Sequence, residues 1–158
     1  MCKICNKELI KFLEDKPPDY WHQLAWNWNF DGGIEPLAWI INKPQCDKGT
    51  VLLIYWSIVP SLGDYKNIDE VDKHQKDAFS LIQDIQSKYI EGFYKNEKIT
   101  FDPRDDRGIN WEKDYNETKK RIEIPKDMYT ATKGKKIQWI DIPEGIPDEV
   151  FEKTEKYH

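Results

Sequence analysis

The chain has 158 residues and a net charge of −5, from 24 Lys and Arg against 29 Asp and Glu. That length suits one domain with a real core, and the negative balance argues against a bare nucleic-acid binder, because such domains are usually basic. Seven Trp and an aromatic share of 13% predict a core filled with large side chains, or a contact surface of the kind where Trp and Tyr are enriched.

Residues 6–15 predict a short amphipathic helix, with Asn6 as its cap and Leu9, Ile10 and Leu13 as its stripe. Its N-terminal flank has no apolar segment of the signal-peptide kind. No run anywhere approaches the ~20 apolar residues of a membrane span, so the expected location is the cytoplasm, away from membranes. Pro17-Pro18 ends the first helix, and Pro18 opens a second with Asp19 in its first turn. There Trp21, Leu24, Ala25 and Trp28 recur at i, i+3, i+4 and i+7, the helical template. Trp26 falls off that stripe, on the side of His22.

Two uncharged runs follow, Leu37–Ile41 and Val51–Val59, and in so polar a chain they belong inside. Periodicity alone leaves helix and buried strand both open, and the Val and Ile of the second run suit a strand. The punctuation favours helices over 35–42 and 48–59. Gly32-Gly33 makes a turn and Pro36 fits a first helical position. Asp47 can cap the second helix by accepting from the N–H of Gly49 or Thr50, and Pro60 is expected to stop it. Trp39 and Trp56 are the expected core anchors.

Asn27-Trp28-Asn29, Trp39-Ile40-Ile41, Pro44, Cys46-Asp47, Gly49-Thr50 and Leu52–Trp56 together resemble the core pattern of a bacterial family known only as a domain of unknown function. The likeness continues more weakly through Asp102-Pro103, Gly108 and Ile124-Pro125. Asn29 stands where Asp is expected, and Val51 where Ala is expected. The resemblance implies a fold and a bacterial source, with no catalytic residue and no cofactor; small accessory genes of this kind include neighbours of toxin genes. The Asp47–Leu52 opening also fits an ankyrin unit, but no second unit appears at a ~33-residue period.

Beyond the loop at Pro60–Asp64, a long helix is predicted over about 68–94. Its stripe is Val71, Ala78, Leu81, Ile82, Ile85, Tyr89 and Phe93, its first turn holds Asp69, Glu70 and Asp72, and Gly92 is a possible early end. From Asn96 the periodicity shortens, and Ile99–Phe101, Ile109–Trp111, Arg121–Ile124 and Ile137–Trp139 become strand candidates. Asp102–Gly108 and Lys133–Lys136 read as turns. The segment from Pro147 reads as a last helical turn or a docked tail. The fold class expected is therefore α+β, mainly α: one domain over 1–158, helical to about 95, with a partly β second half packed against it.

Candidate chemistry is sparse. Cys2-x-x-Cys5 has metal-like spacing, but a zinc site needs a second pair, and none is present. Three Cys without secretory context do not make a disulfide framework. His22, His74 and His158 are scattered, and no nucleophile elbow occurs. Asp102–Gly108 places Arg107 where a calcium loop needs Gly. No glycine loop cradles phosphate. No catalytic residue, metal or cofactor is predicted.

The expected function is a protein-binding module, most concretely a bacterial immunity-type protein that neutralises a basic toxin by occlusion. Its expected contacts are the acidic loops holding Asp64, Asp69, Glu70, Asp102, Asp105 and Asp106, with Trp111 as an anchor. The alternatives are an enzyme with an unfamiliar site, for which Asp31 and Asp47 would be the acids, and an accessory subunit of a bacterial assembly.

Overall fold

A computed structural model describes residues 3–62, 65–117 and 122–157. Asp64, Cys2, His158 and Arg121 therefore lie outside the described residues. Seven α-helices are present among the described residues: α1 (Lys3–Glu14), α2 (Pro18–Trp26), α3 (Glu35–Ile41), α4 (Lys48–Leu62), α5 (Lys76–Ile90), α6 (Trp111–Glu117) and α7 (Asp148–Thr154), joined by short 3-10 turns. No helix among them is long and apolar enough to cross a membrane.

Helix α4 is the axis of the molecule. Every residue from Gly49 to Trp56 is buried, as are Ile58, Val59 and Leu62. A helix apolar on all sides has to be surrounded, and α2 and α5 pack along it. This decides between helix and strand for the second run. Pro60 does not stop the helix, which runs two residues further to Leu62. The fixed φ of proline is compatible with helix, and so near the end its missing N–H removes a single backbone bond.

Around this axis the N-terminal helices bury the stripes expected of them, although α1 begins at Lys3, so Asn6 lies inside it and is not its cap. Leu9 and Leu13 of α1 are fully buried, and the Trp21 indole N–H donates to the Leu13 carbonyl (3.0 Å), closing the C-terminus of α1. Trp21, Leu24, Ala25 and Trp28 are all buried. Trp39 is only half-buried, in an edge-to-face pair with Trp21 and with the Lys43 ammonium over its ring, so Trp56 alone of the two expected anchors is deep in the core.

The long helix is shorter than its stripe suggested. Residues Ile68–Glu70 and Lys73–Gln75 are separate 3-10 turns, and α5 begins at Lys76. The Asn67 side chain accepts from the Asp69 N–H (3.1 Å), and Val71 then turns extended (φ −81°, ψ 136°), which carries it into the core. Asp77, not Asp69 and Glu70, occupies the first turn of α5. At the other end, Gly92 sits at φ +73° while Phe93 N–H reaches the Lys88 carbonyl and Gly92 N–H the Tyr89 carbonyl. This is the left-handed glycine stop that leaves the last carbonyls satisfied.

The expected partly β second half is not found. The protein is predominantly all-α, and the strand-like pairing among the described residues amounts to three isolated bridges, Asp47 with Asn96, Ile99 with Lys135 and Asp106 with Ile109. The reason lies in where the backbone bonds go. Lys98 and Ile99 donate to the Asp47 carboxylate, and Phe101 N–H donates to the Thr132 hydroxyl. Tyr115 and Gln86 take the carbonyls of Ile122 and Glu123. The Gln23 and Asn27 amides hold Gln138 and Ile140 against α2. Trp111 opens α6, with Glu112 and Asp114 in the first turn, where the helix dipole favours them. Helix ends and side chains thus satisfy the groups a sheet would use. The C-terminal segment is helix α7, packed on α1.

Candidate functional site

The predicted contact residues that are described fall into two groups, one around Asp69 and Glu70 and one in the loop from Asp102 to Trp111. Asp69 and Glu70 are exposed on their 3-10 turn, with Glu70 Oε2 accepting from the Lys66 N–H (2.8 Å). In the second loop Asp105 is exposed, while Asp102 accepts from the Arg104 N–H (2.9 Å). Asp106 is buried. It accepts from the Trp111 indole N–H (3.0 Å) and pairs with Arg107 (3.0 Å). Trp111 itself is half-buried and packed against the core. Asp106 and Trp111 therefore close the loop on itself, with Arg104 paired to Glu112 across it. Trp111 thus spends its indole N–H within its own loop and leaves only part of its ring at the surface.

Beneath this loop lies a buried histidine. His22 is 4% exposed, and its Nδ1 shares a hydrogen bond with Thr50 Oγ1 (3.0 Å). The Trp26 ring meets it edge-on, and Arg107 lies over Trp26. Burial lowers the imidazole from its ordinary 6.5 to about 4, against the opposing pull of Asp106. The unfolded chain thus binds more protons than the folded one between those two values. Stability from the neutral ring is complete above pH 6.5 and is lost as pH falls through that window, by about 2 kcal/mol at pH 5. Urea midpoints of the parent at pH 7 and pH 5 are expected to differ by more than those of His22→Gln; equal differences would show that the ring is not held neutral.

Neither thiol described offers a reactive site. Cys5 is buried in α1, and burial pushes the Cys46 thiol well above its usual range, so little thiolate forms. No group of three or more His, Cys, Asp or Glu side chains gathers as a metal site among the described residues. Asp31 is exposed at the 3-10 turn after α2, and Asp47 is buried with its oxygens occupied by backbone N–H groups of residues 49, 98 and 99.

A groove of about 730 Å³ lies between α3, α4 and α5. One wall is Ile34, Glu35, Ala38 and Asn42 from the start and outer face of α3; the other is Asp77, Ala78, Leu81 and Asp84 of α5. Ser57, Ile58, Ser61 and Leu62 of α4 form the floor. Phe30, 39% exposed, stands at the rim. The Lys88 ammonium bridges Asp84 (2.6 Å) and the Asn42 side chain, tying the C-terminal parts of α5 and α3 together. Sequence reasoning missed this site because three separate elements build it. The available signal was small: Ala38 and Ala78 sit on helix faces where a larger residue would have filled the gap.

Residues 16–90, which run from just before α2 to the end of α5, match a family described as a domain of unknown function (DUF4274). All three helices of the groove lie inside that stretch. The match stops short of Asp102-Pro103, Gly108 and Ile124-Pro125, where the resemblance had been read as continuing. No curated protein and no solved structure matches the chain.

Proposed function

We propose that this is a protein-binding module that holds a basic protein partner in the bacterial cytoplasm, in the manner of an immunity protein that covers the working surface of a toxin. The observation that carries this reading is the groove, with apolar Phe30, Ile34, Ala38 and Ala78 and the carboxylates Glu35, Asp77 and Asp84 along its walls and rim. An apolar centre with a charged margin is the anatomy of a protein interface. The exposed acids Asp69, Glu70 and Asp105 add to the negative field that draws a cationic partner in. Inhibition by occlusion needs only tight holding, without turnover.

The test is co-expression with the product of the adjacent gene in a host where that product is toxic. Growth is expected to be restored and the two chains to purify together. Raising salt is expected to slow association at least about tenfold with little change in dissociation, because steering charges are screened. A toxic neighbour that is neither bound nor neutralised would sink the immunity reading.

A further inference from the structure

We infer that the groove between α3, α4 and α5 receives an amphipathic α-helix of the partner, apolar along the face it buries and carrying Lys or Arg along its flanks. This rests on the protein-holding reading above and gives it a specific occupant.

The groove's shape selects a helix. Its walls and floor repeat at helical spacing: 34, 35 and 38 on α3, 57, 58 and 61 on α4, and 77, 78 and 81 on α5. The channel therefore runs along three helices. Extended peptides gain affinity by adding to an exposed sheet edge, and no sheet edge lines this groove, since α3, α4 and α5 form its walls and floor. A helix satisfies its own backbone and asks for no such edge. Ala38, Ala78, Ser57 and Ser61 keep the channel shallow-sided, as close helix approach at 8–10 Å between axes requires.

The polar groups argue against a small ligand. Such sites converge a few polar groups on the ligand. Here the floor hydroxyls give their protons to their own helix, Ser57 Oγ–H to the Leu53 carbonyl (2.7 Å) and Ser61 Oγ–H to the Ile58 carbonyl (2.8 Å), so neither is left to donate to a ligand. The apolar surface open to an occupant comes from Ile34, Ala38 and Ala78 at the walls and Phe30 at the rim, with Ile58 and Leu62 buried beneath the floor.

Charge then sets the occupant's flanks. No Lys or Arg is among the described residues that line the groove, in a chain that has 24 of them. Asp84 already holds Lys88. Glu35 is oriented by the Asn6 amide (3.0 Å), and neither it nor Asp77 meets a cation within ion-pair distance among the described residues. These two carboxylates are therefore placed for cations that a partner brings.

The experiment uses the full chain, labelled with nitrogen-15, and three synthetic peptides of about five helical turns. One carries Leu at i, i+3, i+4 and i+7 with Lys on the flanks. The second replaces Lys by Glu, and the third keeps the first composition with a central Pro. The Lys peptide is expected to bind, with amide shifts concentrated in residues 34–42, 57–62 and 74–84, and the other two at least about tenfold more weakly. Ala78→Phe, which fills the channel, and Asp77→Lys, which reverses an exposed wall charge, are each expected to weaken the Lys peptide about tenfold or more. Trp139→Ala, an exposed change that does not line the groove, leaves it unaltered. Absence of binding, shifts centred elsewhere, equal binding of the Pro peptide, or full affinity in folded Ala78→Phe and Asp77→Lys would each overturn the inference. A co-expressed complex that tolerates both variants would remove the groove while keeping the protein-binding reading. Groove binding by the Lys peptide without any neutralised toxin would keep the groove and remove the immunity reading.

Discussion

Asp47→Ala is expected to cost about 3–5 kcal/mol, well beyond the ~0.5–2 kcal/mol of an ordinary lost helix cap. One oxygen of this carboxylate accepts from the N–H of Gly49 (2.9 Å) and of Ile99 (3.2 Å), the other from Lys98 (2.6 Å). The side chain is 2% exposed, and Lys48 N–H reaches the Asn96 carbonyl beside it. Truncation would leave three donors in a site with little access to water, and each buried orphan costs about 1–3 kcal/mol. Asp47→Asn keeps one accepting oxygen but turns an NH₂ group toward a backbone donor. It is therefore expected to be clearly destabilising, not the mild change that a cap alone would predict. Gly49 shows how tight the joint is, since a Cβ there would lie 2.4 Å from the Ile99 carbonyl oxygen. Chemical denaturation of the two variants checks this: Asp47→Ala within 1 kcal/mol of the parent would show that residues 96–99 are not held by this carboxylate.

The second large effect is expected at Trp56. Its ring is fully buried among Tyr55, Tyr115 and Tyr129, and its N–H donates to the Met128 carbonyl (2.8 Å). Trp56→Ala removes that packing and opens a cavity, at about 3–5 kcal/mol, much of the stability of a typical domain. Trp56→Phe keeps most of the volume and loses the hydrogen bond, so a smaller loss of about 1–3 kcal/mol is expected. Half-buried Trp39→Ala should fall below Trp56→Ala. If the two Ala variants unfold at the same denaturant concentration, the assignment of Trp56 to the centre of the core is wrong.

These two residues also mark what the sequence could and could not tell. That Asp47 starts a helix was legible, because the signal is local: an acid two residues before a glycine and an apolar run. That it also fastens residues 98 and 99 was not, because backbone N–H groups leave no mark in a sequence. The same gap explains the overturned fold class. Ile99–Phe101 and Ile137–Trp139 have strand-like composition, but Asp47, Thr132, Gln23 and Asn27 satisfy their backbones, and those partners are distant in the chain. Asp106 was legible as a turn acid, while its burial and its bond from Trp111 were not, since that capture depends on the fold of the loop. The groove was least legible, being a gap between helices and not a motif.

The bond from Trp56 to Met128 spans 72 residues. At about 5–20 residues per second on the ribosome, roughly 4–14 seconds separate the synthesis of the indole from that of its acceptor. During that interval the most apolar helix of the chain exists without the segment that covers one side of it. Helices α2, α3 and α5 can assemble around it first, but the Tyr115 and Tyr129 side of Trp56 stays open to water. Exposed apolar surface of that kind is what chaperones bind and what drives association between nascent chains. Closure of the core is thus timed by the arrival of its least regular third.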